Sequence, residues 1–242
     1  MISKSQIKLI TGLQQKKYRD KSGLFVAEGP KVINELINAG LNLYLLFATE
    51  AIGSLAPDPE LITHKELQKI SFLKTPNTAL AVFKIPKEQS IQESGMLLAL
   101  DAVRDPGNLG TIIRLCDWFG IKQLVCSNDT ADCYNPKVIQ ATMGSIARVQ
   151  VNYTVLEEFL DSAVLPIYGA VMDGDTVYSK QLPSEGILVM GNEANGISSK
   201  VARHLDHRIT IPGFGDNQAT ESLNVATATA ILLSEFRRTT GM

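Results

Sequence analysis

Three polar stretches each follow a short apolar run: DPGNLGTIIR at 105–114, GNEANGIS at 191–198 and GFGDNQATESLN at 213–224. The first sets a lone arginine, Arg114, on a segment that continues as LCDWFG. A guanidinium offers five N–H donors in a planar fork and keeps its proton until above about pH 12, so it serves better as a fixed cation than as a base. It can hold a phosphate or stabilise a developing alkoxide. Asn108, Glu193, Ser222 and Asn224 are further polar side chains carried by these stretches. Taken singly, every stretch also reads as turn and cap chemistry, with Ser222 and Asn224 capping a final helix.

Other chemistries lose support. No G-x-x-x-x-G-K-[ST] occurs, and GFGDNQ carries Gln218 where a dinucleotide fingerprint needs its last glycine. His64, His204 and His207 lack H-E-x-x-H spacing, while Cys116, Cys126 and Cys133 form no C-x-x-C pair. Nothing points to a metal site, and an odd cysteine count argues against a disulfide framework.

These groups need elements to carry them. LFVAEG reads as a strand, PKVINELINAG as a helix opened by Pro30 and closed by Gly40, and LNLYLLFAT as another strand, a β-α-β unit. ITHKELQKISFL and ALAVFKI add a helix and a strand. This makes residues 1–88 a small α/β domain, followed by a polar linker at 89–95 and a second domain over 96–242. MLLALDAV opens that domain as a strand buried on both faces. NLGTIIRLCDWFG, NPKVIQATMGSIA and TVLEEFLDSA read as helices, the last with a capping box from Thr154 and Glu157. KQLVCS, LPIYGAV, GILVMG and RITIPG read as strands, and SLNVATATAILLSEFRR as a terminal helix. The alternation predicts a mainly parallel sheet covered on both faces, with the polar stretches at the carboxyl ends of strands, where open parallel sheets bind ligands.

Composition suits a soluble globular protein of 242 residues, 45% hydrophobic and 20% charged. No apolar run reaches the roughly 18 residues a bilayer span requires, and the first residues lack a signal-peptide pattern, so a cytoplasmic protein with no membrane partner is expected. The net charge of −2 is unevenly divided. Residues 1–90 hold 12 Lys+Arg against 8 Asp+Glu, whereas the remainder holds 11 against 17. Lys16, Lys17, Arg19 and Lys21 surround Tyr18, a cluster able to neutralise RNA phosphates while a ring stacks on a base. A solvated helix end explains it equally well.

The order and content of the polar stretches carry a family resemblance. D-x-x-x-D-P-x-N-x-G-x-x-x-R, then L-V-x-G-N-E-x-x-G, then I-P followed by S-L-N-V, resembles the three signature motifs of the SpoU (TrmH-like) branch of the SPOUT RNA methyltransferases. LFVAEGPKVINELI resembles the L30e-like substrate-binding domain that precedes the catalytic domain in many members. The resemblance implies an α/β fold whose C-terminal segment forms a deep trefoil knot, a topology that pattern reasoning alone would exclude. It implies S-adenosylmethionine bound through backbone groups at Gly191, Ile211 and Leu223, and methyl transfer to a ribose 2'-hydroxyl. In that scheme Arg114 acts on the hydroxyl, Asn108 orients the arginine or the substrate, Glu193 accepts hydrogen bonds, and Ser222 and Asn224 complete the polar pocket.

Ribosomal RNA is the expected substrate, on the strength of the front domain. A tRNA 2'-O-methyltransferase and a non-catalytic RNA-binding or ribosome-assembly protein retaining the fold are the alternatives. A C2 homodimer packed on the terminal helix is also implied. Two departures from the family pattern stand out: the third motif is long and contains Asp216 and Glu221, and LCDW lacks the small residues common there.

Overall fold

The computed structural model describes residues 1–52, 57–179, 181–215 and 222–238. The chain forms two compact units: residues 1–88 with 132–148, and residues 89–131 with the chain from 149 onward.

In the first unit, α1 (Lys4–Gly12) starts with a capping box from Ser3 and Gln6, and α2 (Lys16–Ser22) ends at Gly23 in the left-handed region. There follow β1 (Leu24–Glu28), α3 (Pro30–Asn38), β2 (Leu43–Ala48), β3 (Glu60–Leu61), α4 (His64–Ile70) and β4 (Ala79–Lys84). The sheet order is β1-β4-β2-β3. β4 runs antiparallel to both β1 and β2. The expected β-α-β unit is therefore present in element order, but α3 carries the chain across a gap that β4 fills. Ile10, Leu13, Val26, Phe47, Leu67, Ile70, Leu80 and Val82 form its core. On the other face Phe25 stacks on Phe83 at 5.7 Å and meets Tyr134, from the 132–148 segment, at 5.0 Å.

The second unit is built from β5 (Met96–Leu100), α5 (Pro106–Trp118), β6 (Gln123–Ser127), then, after α6 (Pro136–Thr142) of the first unit, β7 (Gln150–Thr154), α7 (Leu156–Asp161), β8 (Ile167–Thr176), β9 (Gly186–Met190), β10 (His207–Thr210) and α8 (Val225–Arg238). Every pairing in its sheet is parallel, in the order β10-β8-β9-β5-β6-β7. Leu97 and Ala99 of β5 pack with Leu156, Leu160, Ile187, Val189 and Val201. Leu98 and Leu100 point the other way along the pleat and are equally buried. From β5 the chain moves on to β6 on one side, whereas β9 occupies the other and leads away toward β10. The boundary between β5 and β9 is thus a switch point in the strand order.

Several sequence expectations change. NPKVIQATMGSIA is not one helix: Met143 and Gly144 take φ of 52° and 96°, and a 3-10 turn follows at 145–147. A Cβ on Gly144 would stand 2.6 Å from the Cβ of Glu35, so the close approach of α3 demands glycine there. The capping box of α7 does not form. Thr154 is consumed by pairing with Ser127 in the β6–β7 ladder, leaving Val155 at the cap with no side-chain bond. Residues 89–94 have no regular structure yet are tied down, Asn152 Nδ2 donating to the Gln89 carbonyl at 2.7 Å and Gln92 exchanging bonds with Gln123.

Cys116, Cys126 and Cys133 are all buried. No helix among the described residues is long and apolar enough to cross a membrane, and they contain no cluster of His, Cys, Asp and Glu able to hold a metal ion. The connection on which a knot depends includes residues 216–221, which lie outside the described residues, as do Asp216 and Glu221.

Candidate active site

At the switch point, the turn after β9 is fastened to the loop after β5. Asp101, directly after β5, is only 7% exposed; its N–H donates to the Met190 carbonyl at 2.9 Å and its Oδ2 accepts from the Ser198 N–H at 2.6 Å. Ala102 adopts φ of 58°, costly for a residue with a Cβ and therefore maintained by its surroundings. Those surroundings are visible: its N–H donates to Ser127 Oγ, and its carbonyl accepts from Asn192 Nδ2 at 2.7 Å. Asn192 Oδ1 in turn accepts from the N–H groups of Ala194 and Asn195. Across the turn, the backbones of Asn192 and Gly196 exchange two bonds of 2.9 Å. The turn folds back so tightly that a Cβ on Gly191 would lie 2.2 Å from the backbone of Gly196 and Ile197, so no side chain is tolerated there.

One chain of amides links all three polar stretches. Asn224 caps α8, its Oδ1 accepting from the N–H groups of Ala226 at 3.0 Å and Thr227 at 3.2 Å. With its oxygen committed to the helix, its Nδ2 faces Asn108 and donates to Oδ1 at 2.9 Å. Asn108 must then turn its own Nδ2 outward, where it donates to Glu193 Oε1 at 2.9 Å. The helix cap therefore fixes the amide orientations in sequence. Asn108 is itself placed by Asp105, the N-cap of α5, whose Oδ1 accepts the Asn108 N–H at 2.8 Å. Capping and site geometry coincide at Asn224. Ser222 is exposed and is not the cap of α8, which begins at Val225 behind Asn224.

Arg114 is not part of this chain. The Asn108 amide bonds Glu193 and Asn224, and no bond joins it to Arg114 among the described residues. Arg114 lies on the exposed face of α5 with Thr111 and Trp118, and has no hydrogen bond or ion pair among the described residues. Gly191 and Ile211 immediately follow β9 and β10, and Leu223 stands two residues ahead of α8, 48% exposed.

The basic cluster of the first unit divides. Lys16, Lys17 and Lys21 are exposed, and Lys17 Nζ sits 4.9 Å from the centroid of the Tyr18 ring. Arg19 points inward at 2% exposure. Its Nη1 donates to the carbonyls of Leu13 and Gln14 at 2.7 and 2.9 Å, and its Nε and Nη2 pair with Asp132. That guanidinium is spent on holding α2 to the 132–148 segment and presents no charge to RNA, contrary to the expectation from the sequence.

Two positioning residues escaped the sequence reading. Asp101 stands within the first motif, and Asn192 beside Glu193; the signal for the latter is asparagine inside a glycine-bounded turn, whose side chain bonds backbone N–H groups two and three residues on.

Residues 95–234 match the SpoU rRNA Methylase family, and residues 4–81 the MRM3-like substrate binding domain. The chain is 30% identical over 236 residues, 93% of each chain, to the 23S rRNA (guanosine(2553)-2'-O)-methyltransferase RlmP of Bacillus subtilis. Its fold superposes with a TM-score of 0.90 on a putative TrmH-family RNA methyltransferase of Porphyromonas gingivalis, 40% identical and covering 98% and 99% of the two chains. An rRNA methyltransferase of Sinorhizobium meliloti, solved with AdoMet bound, gives 0.85 at 28% identity, covering 100% and 98%.

Proposed function

Because the chain belongs to the SpoU rRNA methylase family, we propose that it transfers a methyl group from S-adenosylmethionine to a ribose 2'-hydroxyl of ribosomal RNA. The observation that carries this reading is the hydrogen-bonded run Glu193–Asn108–Asn224, which joins one residue from each polar stretch at the carboxyl end of a parallel sheet. S-adenosylmethionine, when bound, supplies a methyl carbon activated by its sulfonium. The residues present fit such a group: a turn closed so tightly that Gly191 can carry no side chain, with apolar Ile211 and Leu223 at the neighbouring chain ends.

A ribose hydroxyl holds its proton at neutral pH, so the protein must align it and stabilise the charge that grows on its oxygen. Arg114 suits that task, being an exposed cation with no ion pair among the described residues. It holds an RNA phosphate and stabilises the forming alkoxide. Asn108, Glu193 and Asn224 form the fixed polar wall against which the ribose is set, and Ser222 adds a free hydroxyl beside it. Exposed Lys16, Lys17 and Lys21 meet phosphates elsewhere on the RNA.

The protein acts in the cytoplasm as a C2 homodimer. The exposed stripe of α5 ending in Trp118, 83% exposed, and the helix α8 packed beside it form the contact, with Arg114 at its edge. Incubation with methyl-labelled cofactor and total RNA tests the assignment. Label enters ribosomal RNA at ribose, and Arg114→Ala abolishes it; label confined to transfer RNA, or undiminished in that variant, overturns the reading.

A further inference from the structure

Phe214 is 84% exposed and Tyr178 44%. Their ring centroids are 6.3 Å apart with 31° between planes, inside the separation of about 4.5–7 Å at which aromatic rings attract. Both rings stand at one end of the parallel sheet. Thr176 of β8 pairs with Thr210 of β10, and Tyr178 follows the first by two residues while Phe214 follows the second by four. Tyr178 is held by the 3-10 turn 177–179, whose Val177 is fully buried and which packs against α8, the helix capped by Asn224. Phe214 comes three residues after Ile211.

A phenyl ring left this open to water gains nothing for the fold. A water-facing apolar ring is explained by what covers it, and here the location decides the occupant. Tyr178 sits on a turn packed against α8, whose cap Asn224 belongs to the amide chain assigned to the ribose, and Phe214 follows Ile211 by three residues in the same polar stretch as Asn224. Proteins that read unpaired RNA splay a base out of its strand and lay it on such a ring, because every base presents a π face.

We propose that Tyr178 and Phe214 form a stacking platform for an unpaired base of the RNA substrate. The platform rests on the methyltransferase reading above and extends it, since a ribose held at the amide chain leaves its own or a neighbouring base to be held separately. The base lies on the open face of Phe214, and Tyr178 keeps that ring from turning away.

Filter binding of ribosomal RNA and methyl transfer at varied RNA concentration test it with Phe214→Leu and Phe214→Trp, both at an exposed site that leaves folding intact. Leucine keeps apolar bulk and loses the π face; tryptophan keeps the face. The expected result is an RNA Kd and KM raised about tenfold by leucine and restored by tryptophan, with S-adenosylmethionine affinity by calorimetry equal in all three proteins. Wild-type RNA affinity in Phe214→Leu overturns the platform, as does a matching fall in cofactor affinity, which would make Phe214 a cofactor lid. A wild-type protein that binds RNA through Phe214 without methylating it defeats the methyltransferase reading and leaves the platform standing, so the two failures are distinct.

Discussion

Two arginines, one in each compact unit, show how differently the same side chain is used. Arg19 sits in a run of lysines and is 2% exposed, its donors spent on two carbonyls and Asp132. Arg114 sits in an apolar helix, exposed and unbonded among the described residues. The first has exchanged water for a complete set of protein partners and so belongs to the fold. The second keeps its hydration until a ligand displaces it, which leaves it available for function.

That contrast can be broken most forcefully at Arg19. Arg19→Ala strands the Asp132 carboxylate and two carbonyls, and is expected to cost about 3–5 kcal/mol, lowering the melting temperature by roughly 10 °C in calorimetry. Unchanged melting with weakened RNA binding would return Arg19 to the RNA surface. Arg114→Ala should do the opposite: methyl transfer falls about 10²–10³-fold while melting stays within experimental scatter. Asn108→Ala comes next. It removes the bridge between Glu193 and Asn224 while leaving the α8 cap in place, and a loss of about tenfold in kcat with cofactor affinity retained would sharpen the view that the chain sets the ribose rather than the fold. The smallest effect belongs to the exposed lysines. Replacing Lys16, Lys17 and Lys21 together should flatten the dependence of log Kd on log salt by about 0.7–0.9 for each lysine that meets a phosphate, with kcat at saturating RNA as the control. A slope identical to wild type would assign the cluster to a solvated helix end.

The site was legible from the sequence because parallel-sheet proteins put abrupt changes from apolar to polar residues at strand ends. Leu100, Met190 and Thr210 end β5, β9 and β10 directly ahead of the residues that matter. Side-chain orientation was not legible. Nothing in QQKKYRDKSG says that Arg19 alone turns inward, because its partner lies 113 residues away. The position of β4 between β1 and β2 was hidden for a similar reason: local pattern gives the elements, while strand order depends on pairing between distant segments. Thr154 and Glu157 have cap spacing, yet ladder pairing took Thr154 first. The bond from Asn108 Nδ2 to Glu193 follows from the cap at Asn224, a constraint visible only once α8 is in place.

The sealed thiols give the molecule a built-in clock. Burial pushes the Cys116 thiol well above its ordinary pKa, and a thiol without thiolate character and without access reacts only when its surroundings open. Cys133 belongs to one compact unit, Cys116 and Cys126 to the other. Timed exposure of the native protein to a maleimide, followed by peptide mass spectrometry, therefore dates the opening of each unit separately, with no substitution anywhere in the chain.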